Sequence, residues 1–192
     1  MKLYLLSCET IQQQASRILP RLPQQRRTDY ARSKSSLTLG AGLLLSGVLG
    51  IKKDEDLWFG PQGKPFLSRN EPEFSLSHTR DRVLLGVSDR PIGVDIEHRE
   101  RRISVAVQNR ICLPQEKGLD ALSVFTRKEC AMKLTGLGFR LPLSEIDTTV
   151  PFLWEGVAYH FFTTELERYC ISVLTAEESL PEIQLLTPEE LL

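Results

Sequence analysis

Ile92-Gly93-Val94-Asp95-Ile96-Glu97 is the run on which the fold turns. Two branched apolar residues alternate with two acids, which is the pattern of a short strand with one buried face. Strand side chains point alternately to opposite faces, so Asp95 and Glu97 share one face while Val94 and Ile96 take the other. Upstream, Phe74 to His78 and Val83 to Val87 read as two strands joined by Thr79-Arg80-Asp81-Arg82. Ser88-Asp89-Arg90-Pro91 is a turn, because it gathers polar turn formers before a proline.

Working outward, the first half opens with a strand at Lys2 to Cys8. Apolar residues then recur at helical spacing from Asp29 to Leu49, although Gly40, Gly42 and Gly47 weaken that helix by about 1 kcal/mol each relative to Ala. The second half carries a helical stretch at Leu119 to Leu134. Strand-like runs follow at Tyr159 to Thr163, Tyr169 to Leu174 and Ile183 to Leu186. Each half therefore reads as helix, hairpin and further strand. Arg82-Val83-Leu84-Leu85-Gly86-Val87-Ser88 loosely matches Arg168-Tyr169-Cys170-Ile171-Ser172-Val173-Leu174. The expected boundary lies near Asp89 to Pro91, giving an N-terminal half at 1–89 and a C-terminal half at 90–192. Thr187-Pro188-Glu189-Glu190 has the form of a capping box for a short terminal helix.

The 192 residues suffice for one sizeable core or for two small halves that share one. A net charge of −1 sets up no global field toward nucleic acid or membrane, so any anion site must be local. The most apolar stretch, Leu37 to Ile51, is interrupted by Thr38, Ser46 and four glycines and is too short and polar to span a bilayer. No secretory leader is expected at Met1 to Thr10. The four cysteines, Cys8, Cys112, Cys130 and Cys170, are scattered without a CxxC pair, so a zinc site or disulfide framework is not indicated and a reducing cytoplasm is expected.

Several segments carry chemistry. Adjacent acids such as Asp95 and Glu97 suit Mg²⁺, which takes one or two carboxylates, waters and phosphate oxygens; an exposed acidic strand edge is the ordinary alternative. On a helix, Phe125, Glu129 and Lys133 share a face, and a surface Glu–Lys pair is the alternative there. Lys64, in Gly63-Lys64-Pro65, is presented on a stiff loop. Ser77-His78-Thr79 ends a strand with three hydrogen-bonding side chains. Lysine and imidazolium both suit phosphate oxygens through charge-assisted bonds, whereas a solvated lysine and a backbone-satisfied histidine are the alternatives. Arg26, Arg27, Arg32 and Lys34 form one basic run, and Arg99, Arg101 and Arg102 another.

In order, Phe59-Gly60-Pro61-Gln62-Gly63-Lys64-Pro65, Phe74-Ser75-Leu76-Ser77-His78-Thr79, Ile92 to Glu97, and Phe125-Thr126-Arg127-Lys128-Glu129-Cys130-Ala131-Met132-Lys133 resemble the four motifs of the 4′-phosphopantetheinyl transferase superfamily. The length is similar to that of its monomeric class, the one that activates peptide synthetases. The resemblance implies an α+β fold of two similar α/β halves related by a pseudo-twofold axis, with the active site between them. It implies Mg²⁺ on Asp95, Glu97 and Glu129. Lys64, Ser77 and His78 would hold coenzyme A phosphates, and Lys128 and Lys133 would approach the pyrophosphate or the reacting centre. It implies transfer of phosphopantetheine from coenzyme A to a serine of an apo acyl or peptidyl carrier protein, with Glu129 as base, directly or through a water. No nucleic acid or membrane partner is implied.

The sequence departs from the family pattern in places. Ser36-Leu37-Thr38-Leu39 lacks the arginine that often opens the first long helix, leaving Lys34 or Arg32 to replace it. Ser75 stands for the usual asparagine, and Cys130 for alanine or serine. The rival readings are another Mg²⁺-dependent phosphoryl enzyme and a non-catalytic module that binds carrier proteins or coenzyme A.

Overall fold

A computed structural model describes residues 1–192. In chain order the elements are β1 (Lys2–Ser7), α1 (Ala15–Ile18), α2 (Gln24–Ser33), α3 (Ser36–Leu49), β2 (Leu57–Phe59), β3 (Pro65–Leu67), β4 (Glu73–Thr79), β5 (Arg82–Ser88), β6 (Gly93–His98), α4 (Val105–Ile111), α5 (Ala121–Thr135), β7 (Phe152–Trp154), β8 (Val157–Leu166), β9 (Tyr169–Thr175) and β10 (Ile183–Leu186). The fold is mixed α+β. One four-stranded sheet has the order β10-β1-β5-β4, the other β6-β9-β8-β7, and β2 with β3 forms a separate hairpin. No helix is long and apolar enough to cross a membrane.

The single helix expected over Asp29 to Leu49 is two. Lys34 takes a left-handed conformation (φ 52°) that ends α2, and the Ser35 hydroxyl then accepts from Thr38 N to cap α3. The glycines of α3 admit close neighbours: a Cβ on Gly40 would stand 2.3 Å from Cys8 Sγ. Leu39, Leu43, Leu44 and Leu45 bury the helix against the first sheet.

A second departure concerns β10, expected in the second half. It pairs in parallel with β1, Leu3 opposite Ile183 and Leu6 opposite Leu186, so the chain end returns to the first sheet. The terminal residues follow it: Leu191 lies against Gly47 of α3. Thr187 and Glu190 make the expected capping interaction, but only a single 3₁₀ turn follows. The hairpin β2–β3, the strand β7 and the helix α4 add to the elements expected from the sequence.

The two sheets abut where β4 runs beside β6. They are joined there by hydroxyl groups rather than by a backbone ladder. Ser75 Oγ accepts from Val94 N (3.1 Å), Ser77 Oγ accepts from Ile96 N (3.4 Å), and Thr79 Oγ1 donates to Glu97 Oε2 (3.2 Å). These residues alternate along β4, so a single strand face supplies all three. On the other side β6 meets α5 so closely that a Cβ on Gly93 would lie 1.9 Å from Cys130 O. Any larger residue at position 93 would push α5 away.

Candidate active site

The seam between β4, β6 and α5 collects most of the residues singled out from the sequence. Val94 and Ile96 enter the core with Leu3, Leu84 and Ile171, which turns Asp95 and Glu97 the other way, as the alternation requires. Asp95 is 3% exposed. Its Oδ1 accepts from Ser77 Oγ (2.7 Å) and from Lys133 Nζ (2.6 Å), and its Oδ2 is buried with no partner. Lys133 also donates to Ser77 Oγ (2.7 Å). Glu97 accepts from Thr79 at one oxygen and from Arg101 at the other, while the Arg101 guanidinium lies over the Phe125 ring (4.5 Å).

On α5, capped by Asp120 and ended by Gly136 at φ 69°, the predicted face forms. Phe125 and Glu129 line one cavity of about 650 Å³, together with Arg101, Arg110, Ile111 and Leu141. Glu129 and Lys133 line another of about 300 Å³, with Lys64, Ser75, Gly136 and Gly138. Glu129 and Phe139, a side chain left 90% exposed, belong to both. Glu129 accepts no hydrogen bond.

Lys64 is aimed by its hairpin. Gly60 N donates to Lys64 O (2.9 Å), and Gly63 adopts φ 80°, which closes the turn. The ammonium donates to Leu134 O at the end of α5 (2.8 Å), so a residue of the first half spans to the helix of the second. Burial lowers the Lys64 pKa, partly offset by Glu73.

Electrostatics show how closely the acids converge. Burial raises the Glu129 pKa, and the Asp95 charge raises it further, against Lys133 and Arg101. Glu97 is raised by burial and then by Asp95, against Arg101. A carboxylate with a raised pKa contributes stability that is complete below the ordinary carboxylate range and is lost as pH rises through the raised value. Without divalent cations, Glu129→Gln is therefore expected to raise the thermal midpoint at neutral pH and to leave it unchanged in acid, where both side chains are neutral. Scanning calorimetry of the two proteins across that range checks the sign.

The three carboxylates are not drawn into one chelating shell: no group of three or more His, Cys, Asp or Glu side chains stands within metal-binding reach. The donors nevertheless suit a hard cation. They are all carboxylate oxygens, Asp95 Oδ2 is buried and unpartnered, and Lys133 and Arg101 now supply the positive charge beside Asp95 and Glu97.

One expectation needs correction. Lys128 is not in the cleft. Adjacent helix residues are about 100° apart, so the residue before Glu129 faces elsewhere. Lys128 is 0% exposed, paired with Glu116 (2.8 Å), and donates to Leu143 O and Ile146 O. A side chain enclosed in this way is unavailable to phosphate. The alternation that brings Ser77 to Asp95 turns His78 outward on β4, where its side chain is exposed, free of hydrogen bonds and open to a ligand, although it lines neither cavity. Among the arginines after β6, Arg99 is already paired with Asp120 and Glu165, whereas Arg102 is exposed without an ion pair. Thr79, singled out with Ser77 and His78 as a hydrogen-bonding side chain, finds its partner in Glu97. Glu116 and Phe139 were missed, and nothing local marked either.

Residues 91–179 match the model of the 4′-phosphopantetheinyl transferase superfamily. The match supports that superfamily, and with it phosphopantetheinyl transfer as the general chemistry. It covers just under half of the chain, from the turn before β6 through α5 to the end of β9, and so includes Asp95, Glu97, Glu129 and Lys133. Lys64 and Ser77 lie outside it. No curated protein matches the chain.

Proposed function

We propose that the protein transfers the 4′-phosphopantetheine group of coenzyme A to a serine of an apo acyl or peptidyl carrier protein, with Mg²⁺ held by Asp95, Glu97 and Glu129. The observation that carries this reading is the meeting of Lys64 from one half with Glu129 and Lys133 from the other around one cavity, with Ser77 and Asp95 holding the Lys133 ammonium behind it. We also read the halves as pseudo-twofold repeats. The equal strand orders β1-β5-β4 and β6-β9-β8, with α3 and α5 in corresponding places, support this.

In the proposed reaction the serine oxygen attacks the phosphorus that carries pantetheine. The bond from that phosphorus to the bridging oxygen breaks, and 3′,5′-ADP leaves with the electron pair. Glu129 takes the serine proton; its freedom from hydrogen bonds and its raised pKa suit that role. Lys64 and Lys133 neutralise the pyrophosphate and fix its orientation, and Ser77 holds Lys133 in place. A bound Mg²⁺ would supply further charge neutralisation at the pyrophosphate. No cysteine or serine stands beside a histidine as an activated nucleophile, so direct transfer is preferred to a covalent enzyme intermediate.

Lys64→Ala separates phosphate binding from cation binding. Losing one charge-assisted hydrogen bond of about 1.5–3 kcal/mol should weaken coenzyme A by roughly 10- to 150-fold. Mg²⁺ affinity measured without coenzyme A should be nearly unchanged. Calorimetric titration of each ligand reads both values, and unaltered coenzyme A affinity would remove Lys64 from the phosphate site.

A further inference from the structure

Among the acids of the cleft, only Glu97 has both oxygens engaged. Thr79 holds Oε2, and Arg101 holds Oε1. Asp95 keeps a free Oδ2, and Glu129 is bare. A cation shared by the three acids must therefore compete with Arg101 for Glu97. The guanidinium has somewhere else to go. Arg101 follows β6 in a segment without regular structure, its side chain is 45% exposed, and it forms the wall of the larger cavity with Arg110 and Phe125.

We propose that Arg101 is a built-in counter-ion of the site, which cation binding releases from Glu97 into the mouth of the larger cavity, where it joins Arg110 in holding an acidic partner surface. The idea rests on the proposed function for the cation and for the partner, an apo carrier protein. Before the cation arrives, Arg101 neutralises a buried acid that would otherwise stand beside Asp95 uncompensated. After it arrives, the same guanidinium is a free positive charge in the cavity that Glu129 also lines. Because one side chain serves both ligands, the coupling is reciprocal: each ligand should favour the other by the same factor.

Calorimetry on the full chain tests this with Arg101→Met, which keeps an apolar stem on Phe125 but removes the charge. Without coenzyme A, Mg²⁺ should bind the variant roughly fivefold more tightly than the wild type, the scale of a partly exposed ion pair. The second probe is an apo acyl carrier protein whose acceptor serine is replaced by alanine, so that no transfer occurs. Mg²⁺ should strengthen its binding to the wild type by a similar factor and have no effect on its binding to the variant. Equal Mg²⁺ affinity for both proteins would overturn the proposal while leaving the cation site in place. Weaker Mg²⁺ binding to the variant would overturn it too, by making Arg101 a support of the site. Mg²⁺ that binds neither protein would overturn both this proposal and the cation site.

Discussion

Glu129→Gln is expected to lower kcat by about 10²–10³, the scale for losing one preorganised electrostatic group at a reacting centre. Glutamine fills nearly the same space but neither takes a proton nor carries charge to a cation. Glu129 is the point at which the two cavities meet, and it has no hydrogen-bonding partner to lose. The substitution should therefore leave the fold intact and, with the relief of charge beside Asp95, slightly more stable at neutral pH. Coenzyme A should still bind, because Lys64 and Lys133 remain. A loss of turnover from a protein that is no less stable would locate the effect in the chemistry. Normal turnover would reduce Glu129 to a surface acid and remove the three-carboxylate site.

Lys128→Met is expected to cost about 3–5 kcal/mol of folding stability, the penalty for leaving one member of a buried ion pair without its partner. Glu116 is as enclosed as Lys128 and also accepts from Leu113 N, Thr148 N and Thr148 Oγ1. Burial alone would raise its pKa. The hydrogen bonds from Lys128, Leu113 and Thr148 outweigh burial and hold it below the ordinary value. The stability contributed by that depressed carboxylate is present above the ordinary range and is lost as pH falls through the depressed value. The deficit of Lys128→Met should thus be largest near neutrality and shrink in acid. Denaturant unfolding at several pH values measures it. The pair also ties α5 to the segment around Leu143 and Ile146, so loosening should reach the wall of the larger cavity. A pH-independent loss of less than about 1 kcal/mol, the range of exposed pairs, would show that the pair is solvated.

The contrast between Lys128 and Lys133 shows what the sequence could and could not convey. Local periodicity is enough to put Asp95 with Glu97, and Phe125 with Glu129 and Lys133, because two-residue and four-residue spacings fix shared faces. It also separates Lys128 from Glu129, but the motif resemblance drew Lys128 toward the pyrophosphate together with Lys133. The partner of Lys128 is Glu116, on a turn before the helix, and no pattern in the chain announces that pairing. The break at Lys34 was hidden because apolar spacing continues across it, while the left-handed residue that ends α2 is not a glycine. The placement of β10 beside β1 depends on a pairing about 180 residues apart in sequence, which strand propensity does not encode. By contrast, the close approach at Gly93 was implicit in a glycine inside a strand, where a backbone neighbour is a common cause.

Group transfer to a carrier protein leaves a fixed mass on the acceptor, which intact mass spectrometry reads. Apo acyl and peptidyl carrier proteins would be incubated with the full chain, coenzyme A and Mg²⁺, with EDTA in a parallel set. At least one carrier is expected to gain the mass of a single phosphopantetheine group, and EDTA to abolish the gain. A protein that binds coenzyme A yet leaves every carrier of a broad panel at its apo mass would contradict group transfer.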